Sequence, residues 1–431
     1  MSTSTADAAT SDTGNATPVS DKDYADSRLP LPSDLADRGR CPFEPPPRLV
    51  ELSTQAPVQR ITLRDGREGW LITGHAEGRA FLADPRASAE RLTEQAIERL
   101  PEKLRERAAD KEARAGTFIF MDPPDHTRYR KLLTGQFTVR RMRQLEPRIA
   151  QIVADHIDAM VAAGDTADLV PAFALPVPSL VICELLGVHY EDREEFQSRT
   201  ALLLSRDADV DDVIEVGEGL NRFMLDLVRE KRENPGDDLL SGLVHAATEP
   251  ALTDTELANI ANLLLIAGHE TTANMLSLGT FALLEHPDQL ARLRDDPSLI
   301  DGAVEELLRF LSIIHFGINR TTTEEVELAG EVIPADATVI VSVVAANRDP
   351  DTYPSPDELD VTRQRVSHLA FGHGIHQCLG QQLARVEMTV GFTELLRRLP
   401  GLRLAVPASQ VRLRDDMLIY GAHSLPVTWD A

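Results

Sequence analysis

Apolar residues recur at the helical period along most of the chain. Spacing near 3.6 residues predicts helices over residues 139–163 and 212–231. Residues 89–115 are dense in Glu, Arg, Lys and Ala, which predicts exposed helix. These segments indicate a mainly helical protein.

Strand patterns are short and occur near the two ends of the chain. Ile61 and Leu63 alternate before the turn pair Asp65-Gly66, and Trp70 follows, which predicts a hairpin over residues 58–72. Further strand patterns cover residues 326–328, 332–333, 338–344 and 412–429. The predicted fold class is therefore mainly α with small, largely antiparallel β-sheets.

One predicted helix is much longer than the others. Thr253 and Glu256 form a capping-box pattern, apolar periodicity continues to Leu284, and Pro287 marks the end. A helix of ~30 residues spans ~45 Å, enough to cross a domain. Its interior contains Ala267-Gly268-His269-Glu270-Thr271-Thr272, and because Gly and Thr are poor helix formers we expect a local distortion there.

The chain divides into a short tail and one large domain. Residues 1–28 are rich in Ser, Thr, Ala and Asp with few large apolar residues, which predicts a disordered tail. No internal repeat or interior linker interrupts residues 29–431, so we expect a single domain there.

Composition excludes several classes of protein. The chain has 431 residues, of which 42% are hydrophobic, yet no apolar run is long enough to cross a membrane. No secretory signal pattern opens the chain, so we expect a cytoplasmic protein. The net charge of −25 argues against binding nucleic acid or an anionic membrane. Three cysteines are too few for a disulfide framework.

One basic segment departs from this acidic background. Residues 127–143 contain six basic residues and no acidic one: Arg128, Arg130, Lys131, Arg140, Arg141 and Arg143. Such a segment is either a solvated helix face or a docking surface for an acidic partner.

The strongest chemical signal is a glycine-rich loop, Phe371-Gly372-His373-Gly374-Ile375-His376-Gln377-Cys378-Leu379-Gly380, which leads into a predicted helix over residues 381–399. A cysteine just before a helix N-terminus is favoured as the thiolate, the state that binds metal. Cys41 and Cys183 are interpreted as buried apolar residues. A nucleophile elbow would need Gly where His376 stands, and a zinc site would need further ligands nearby.

This loop resembles the haem-binding signature of the cytochrome P450 family, Phe-x-x-Gly-x-x-x-Cys-x-Gly, at all four specified positions. The resemblance extends from about Pro30 to Trp429 and implies the cytochrome P450 fold. It implies haem b as cofactor, with Cys378 as axial ligand of the iron and with Phe371 and Gly372 beside the haem. It further implies that His126, Arg130, Arg320 and His376 hold the haem propionates.

Two further motifs match the family. Glu270 and Thr271 resemble its proton-delivering acid–alcohol pair, and Gly268 would leave room for dioxygen. A zinc protease would instead need His where Ala273 stands. Glu306 and Arg309 match a structural Glu-x-x-Arg motif, for which Arg363 is the expected third member, although Leu359 stands where the family often has Phe.

The resemblance implies a monooxygenase that hydroxylates a C–H bond with O2, using electrons from NAD(P)H delivered by a ferredoxin reductase and a ferredoxin. Arg128, Lys131, Arg140, Arg141 and Arg143 are the candidate ferredoxin contacts. The expected substrate is a hydrophobic secondary metabolite, such as a macrolide polyketide or terpenoid, or else a xenobiotic. The candidate pocket residues are Leu264, Ala267, Ile314, Phe316, Ile318 and Ile419.

Three other readings of the same residues stay open at this point. A non-catalytic haem-thiolate sensor of a ligand or gas would need no proton relay. A peroxide-driven member of the same fold usually departs from the acid–alcohol pair. A hydrolase using Cys378 is disfavoured by the elbow mismatch and by the lack of a parallel βαβ pattern.

Overall fold

A computed structural model describes residues 30–39, 41–189, 199–200, 202–206, 208–246, 250–364 and 367–430. The tail predicted at residues 1–28 lies outside the described residues. The α-helices are numbered here in chain order: α1 (Pro47–Ser53), α2 (His75–Ala83), α3 (Glu94–Arg99), α4 (Glu102–Ala109), α5 (Lys111–Arg114), α6 (Asp125–Thr134), α7 (Val139–Ala163), α8 (Pro176–Leu186), α9 (Val210–Glu233), α10 (Leu239–Val244), α11 (Asp254–Glu285), α12 (Pro287–Asp295), α13 (Ile300–Leu311), α14 (Val343–Ala346) and α15 (Gln381–Arg398).

Within the described ranges the strands are short and form four small sheets. They are β1 (Val58–Thr62), β2 (Glu68–Ile72), β3 (Ala87–Ser88), β4 (Thr166–Asp168), β5 (Ile318–Thr322), β6 (Val326–Leu328), β7 (Glu331–Ile333), β8 (Thr338–Val341), β9 (Arg403–Leu404), β10 (Arg412–Leu413), β11 (Ala422–Ser424) and β12 (Pro426–Thr428). The largest sheet has the order β1-β2-β8-β5-β3, and only its β2–β8 pair is parallel. The predicted fold class is confirmed.

The predicted hairpin is confirmed as β1 and β2, which pair from Val58 opposite Ile72 to Thr62 opposite Glu68. Gly66 in its turn has φ +82°, a conformation that glycine adopts without steric cost. The predicted helices at 139–163 and 212–231 correspond to α7 and α9.

Residues 89–115 are largely helical and exposed, as predicted, and they are divided into three short helices, α3 to α5, because Pro101 starts a new helix and the Asp110 side chain caps the next. One strand prediction is wrong in its bounds. The strand predicted over 338–344 ends at Val341, because the Ser342 hydroxyl caps α14 by accepting a hydrogen bond from the Ala345 N–H.

Helix α11 is the centre of the fold. The predicted capping box is present, with the Glu256 carboxylate accepting from the Thr253 N–H at 2.7 Å and the Thr253 hydroxyl accepting from the Glu256 N–H at 3.1 Å. The helix is buried on nearly all sides, and α8, α9, α13 and α15 pack against it. Within the ranges given above, no helix is long and apolar enough to cross a membrane.

The distortion expected at Ala267–Thr272 is absent, and α11 is α-helical from Asp254 to Glu285. The Thr271 hydroxyl donates to the Ala267 carbonyl at 2.7 Å. This bond satisfies the hydroxyl one turn back along the same helix, so threonine is accommodated without breaking the backbone ladder.

Candidate functional site: a thiol-based cofactor cavity

The cysteine loop is a compact turn in front of α15. The Cys378 N–H donates to the Phe371 carbonyl at 2.9 Å, which closes the loop. Gly374 has φ +76°, and a Cβ at this position would lie 2.3 Å from the Leu82 carbonyl oxygen. Only glycine fits this close approach to α2, so the loop shape depends on Gly374.

The Cys378 side chain lines a cavity, three residues before the N-terminus of α15. The thiol is exposed to this cavity but lies deep inside the protein, and this desolvation raises its pKa, while the N–H groups of Gly380 and Gln381 and the Arg130 guanidinium act to lower it. The helix N-terminus therefore acts in the predicted direction but does not by itself make the thiolate the favoured state. A bound metal cation would complete the deprotonation.

The cavity lies between the cysteine loop and α11 and has a volume of about 380 Å³. Its walls are largely apolar and include Phe118, Phe120, Ile182, Leu263, Leu264, Ile313 and Ile314. Cys378 lines one side, and Gly268 and Thr271 line the side formed by α11. An apolar chamber with a few converging polar groups is the usual form of a cofactor or ligand site.

Cationic and imidazole groups gather at one edge of the chamber. The rings of His126 and His376 lie 4.2 Å apart, centroid to centroid. Burial, followed by the nearby Arg320 guanidinium, lowers the pKa of His376 to about 3. Burial, followed by the charge of Arg91, lowers the pKa of Arg320 to about 10. Asp122 is the acidic group whose charge acts on these residues, and its carboxylate already accepts hydrogen bonds from the Ser88 hydroxyl and the Ala89 N–H.

The same edge contains buried nitrogen atoms without partners. Both ring nitrogens of His126 and Nε2 of His376 have no hydrogen-bond partner among the residues that the structure describes. His376 lines the cavity, whereas His126 lies behind it against the His376 ring. Buried polar atoms are normally paired, so unpartnered ring nitrogens beside a cavity indicate a missing polar partner. Arg130 lies beside them, although its guanidinium already donates to the Gln377 carbonyl at 2.6 Å.

These residues fit an iron porphyrin. In the described part of the chain no group of three or more His, Cys, Asp or Glu side chains could hold a metal ion. Cys378 would be the residue that ligates the iron of such a group, as a cysteine thiolate does in haem-thiolate proteins. The two carboxylates of the porphyrin would give partners to His126 and His376 and a counter-charge to Arg320, which already donates to the Asn319 carbonyl at 2.8 Å.

On the α11 side, the predicted relay residues point in different directions. Thr271 and Gly268 line the cavity, but Glu270 does not. The Glu270 carboxylate is only 1% exposed and faces Arg414, with Oε2 2.7 Å from Nη1. Glu270 therefore does not contact the cavity, because consecutive helical residues point about 100° apart and its side chain faces the protein interior.

Gly268 has a packing role beside its place in the cavity wall. A Cβ at this position would lie 3.2 Å from Ile182 Cδ1 on α8, and Ile182 itself lines the cavity. The missing side chain therefore allows α8 to approach α11, besides leaving space in the chamber.

The three predicted structural residues form one buried network. Arg309 donates to the two carboxylate oxygens of Glu306 at 2.7 and 2.8 Å, and Arg363 Nε lies 3.0 and 3.1 Å from the same oxygens. Arg309 also donates to the Asn347 carbonyl at 2.9 Å, and the Asn347 amide oxygen accepts from the Leu369 N–H at 2.7 Å. The network thereby fixes the chain just before the cysteine loop.

The predicted pocket residues separate into two groups. Leu264, Ala267, Ile314 and Ile318 line the cavity. Phe316 and Ile419 are not among its lining residues, because Phe316 packs into a neighbouring apolar cluster beside Leu71 and Ile340, and Ile419 packs behind the wall.

Sequence reasoning missed a carboxyl group in the cavity wall. Glu387 on α15 is 3% exposed, and burial raises its pKa to about 8. Its Oε2 has no partner within the described ranges. The signal was available, because Glu387 lies four residues from both Leu383 and Gly391 and so falls on the buried face of a helix.

Such a fold and site define a haem-thiolate protein, and comparison with known proteins agrees. The family model for "Cytochrome P450" matches residues 204–415. The protein named cytochrome P450 105C1 from a Streptomyces species is 51% identical over 387 residues, which are 90% of this chain and 96% of that protein.

Solved structures give the same result. The crystal structure of Rif16 matches with 57% sequence identity and a TM-score of 0.81. The match covers 93% of this chain and 100% of the Rif16 chain. The crystal structure of CYP105P1 in complex with filipin I is 45% identical with a TM-score of 0.85, covering 93% and 99%.

This chain belongs to the cytochrome P450 family and is of the CYP105 type. It is a monooxygenase, and the family implies haem iron, O2 and electrons from a redox partner.

Proposed function

We propose that this protein binds haem b and inserts one oxygen atom from O2 into a C–H bond of a hydrophobic secondary metabolite, such as a macrolide polyketide or terpenoid. One observation carries the proposal. A single chamber has the Cys378 thiol on one side and the Thr271 hydroxyl on the opposite side, and its remaining walls are mainly apolar.

The haem supplies oxygen activation when it is bound, and the protein's part is placement, exclusion of water and movement of protons. Apolar residues of α8, α11 and the loop at Ile313–Ile314 exclude water from the chamber. The Thr271 hydroxyl can pass a proton inward if it gives up its bond to the Ala267 carbonyl. Glu270, the residue before Thr271, is the acid that resupplies this proton.

Product analysis tests the substrate class. The purified protein, supplied with NAD(P)H, a ferredoxin and its reductase, is incubated with a panel of macrolides, terpenoids and xenobiotics. We expect a hydroxylated product from a macrolide or terpenoid, and T271V should lower product formed per NAD(P)H consumed because the cavity loses its hydroxyl. Products from xenobiotics alone would overturn the proposed substrate class.

Failure of the whole panel is also decisive for this proposal. If haem and the panel compounds bind but no compound is oxidised under any electron supply, the substrate assignment is wrong. A substrate-induced (type I) shift of the Soret band without turnover would instead favour the haem-thiolate sensor.

The redox partner that fits the surface is an acidic ferredoxin. Lys131 on α6 and Arg140 and Arg143 on α7 are exposed, and Arg141 is half-buried. None of the four has an ion pair with an acidic residue within the described ranges. Arg128 is the exception, since it forms a salt bridge with the buried Glu256 and also contacts Tyr129. Arg128 is therefore removed from the candidate contacts.

A groove adjoins these basic residues. It lies between α7, α13 and α15, with Arg143 and Val139 on one wall and Arg385, which is paired with Glu305 at 2.6 Å, on the other. Glu146 and Asp301 also line the groove, so the unpaired positive charge lies at its α7 edge. Exposed Val139 adds apolar area beside the charges, as protein interfaces usually combine the two. The groove lies beside α15, whose N-terminus carries the cysteine loop, which suits electron entry.

Charge reversal tests the docking surface. R140E/R143E should raise the ferredoxin concentration for half-maximal turnover at low salt, since complementary charges act mainly on association. The matched control is R222E/R229E, which makes the same charge change on α9, where each arginine has an exposed ion pair. Equal effects of the two variants, or no effect of the first, would contradict docking at this surface.

A further inference from the structure

The proton-relay carboxylate forms a buried ion pair on the far side of its helix. Glu270 Oε2 lies 2.7 Å from Arg414 Nη1, and the two residues are 1% and 5% exposed. The Asn274 amide donates to the Glu270 carbonyl oxygen at 2.8 Å and approaches its carboxylate at 3.4 Å. Glu270 and Asn274 are one helical turn apart, so both occupy the face of α11 turned away from the cavity.

This arrangement conflicts with delivery of a proton into the cavity. A carboxylate paired with a buried guanidinium is held in place, because separating the pair would leave two buried charges uncompensated. Gly268, Thr271 and Thr272 line the cavity, but Glu270 does not. Glu270 must therefore leave Arg414 before it can take up a proton from water and pass it to the Thr271 side.

Arg414 belongs to a turn, residues 414–421, whose two ends both contact the same face of α11. The Arg414 N–H donates to the Gly421 carbonyl at 3.0 Å, which closes the turn. A Cβ at Gly421 would lie 1.8 Å from the Asn274 amide oxygen, so the Gly421 backbone lies directly against Asn274. Both ends of the segment 414–421 thus rest on the Glu270–Asn274 face of α11.

The middle of the same turn is bonded to the cavity wall. The Tyr420 N–H donates to the Ile313 carbonyl at 3.0 Å, and His315 Nε2 lies 2.9 Å from the Met417 carbonyl oxygen. Ile313 and Ile314 line the cavity. An occupant that displaces this wall therefore displaces the turn that carries Arg414.

We propose that Arg414 is a positioning residue that holds Glu270 away from the cavity, and that filling the cavity releases Glu270 by shifting the turn 414–421. The inference rests on the proposed function, because it assigns Glu270 to proton delivery. When released, the Glu270 carboxylate accepts a proton from water and gives it up on the Thr271 side, and it then returns to Arg414 as the anion.

The first test measures motion and needs no turnover. Hydrogen–deuterium exchange of the peptide covering residues 413–421 is followed in the haem-loaded ferric protein, with and without 4-phenylimidazole, whose binding is verified from the Soret shift. We expect filling the cavity to speed exchange in this peptide by about fivefold or more, the lower end of coupling between two sites. R412Q, which changes an exposed arginine two residues away, should respond like the unchanged protein.

Variants of the pair then identify the cause. E270Q and R414Q should each show fast exchange in this peptide without ligand, and little further increase with it. R414K keeps the positive charge and should restore part of the response to ligand. In thermal unfolding, E270Q/R414Q should melt at a higher temperature than R414Q, because the second change removes the uncompensated carboxylate. If R414Q does not fold, E270Q alone opens the pair.

The outcomes separate the two proposals. Complete 4-phenylimidazole binding with unchanged or slower exchange at 413–421 would overturn the release by cavity filling. Additive melting shifts for E270Q and R414Q would overturn the pairing itself. Absence of a haem spectrum would instead refute the proposed function and would leave no haem-loaded protein in which to measure the exchange.

Discussion

Glu387 provides a direct test of the cavity's electrostatics. Its carboxyl is buried in the cavity wall, and burial raises its pKa from the ordinary value of 4.5 to about 8. The folded state therefore keeps the proton up to about pH 8, while the unfolded chain loses it near its ordinary value. Between these two pH values the unfolded state binds fewer protons, so stability falls as pH rises.

The size of the effect follows from the same values. One pH unit corresponds to about 1.4 kcal/mol, so at pH 8 the buried acid lowers the free energy of unfolding by up to roughly 5 kcal/mol relative to pH 4.5. E387Q replaces the acid with a neutral group of similar shape and removes this dependence. Its advantage over the unchanged protein should therefore grow from pH 6 to pH 8, by up to about 3 kcal/mol.

Urea unfolding of the ferric protein at pH 6, 7 and 8 measures this difference. E394Q is the control, because Glu394 is the other glutamate of α15 and forms a salt bridge with Arg397 near the surface. Parallel stability curves for E387Q and the unchanged protein would refute the reasoning, since they would mean that Glu387 has the same pKa in the folded and unfolded states.

Two further predictions concern the frame of the site. E306Q should lower the free energy of unfolding by about 3–5 kcal/mol in a urea titration, because it leaves the buried Arg309 without its counter-ion. E51Q is the control: it breaks only the exposed pair with Arg48 and should lower the same free energy by at most about 1 kcal/mol. G374A should destabilise the protein and lower haem retention, because a Cβ there meets the Leu82 carbonyl; G66A has a similar positive φ in open space and should cost only about 1–2 kcal/mol.

Local signals explain what could be predicted from the sequence. The capping box at Thr253, the turn at Gly66 and the glycine pattern around Cys378 each depend on residues close together in the chain. They therefore predicted α11, the first hairpin and the cysteine loop. The helix breaks within residues 89–115 and the early end of the strand before residue 342 were missed, because a single proline or capping side chain ended an element that the broader pattern continued.

Long-range partners could not be read from the sequence. Arg414 lies 144 residues from Glu270, and Arg128 lies 128 residues from Glu256. The sequence predicted that Arg128 lies on a solvated or docking surface. Its guanidinium instead pairs with Glu256, the glutamate of the α11 capping box. The direction of Glu270 depends on that distant cation, so a motif that predicts the residue's chemistry does not predict where its side chain points.

The carbon monoxide difference spectrum tests the central claim most directly. The purified protein is reduced with dithionite and exposed to carbon monoxide, alongside C378S. A Soret band near ~450 nm that C378S lacks is the expected result, because a proximal cysteine thiolate distinguishes this class from histidine-ligated haem proteins. A C378S protein that keeps the ~450 nm band, or an unchanged protein that shows no haem band despite adequate haem supply, would contradict Cys378 as the haem ligand.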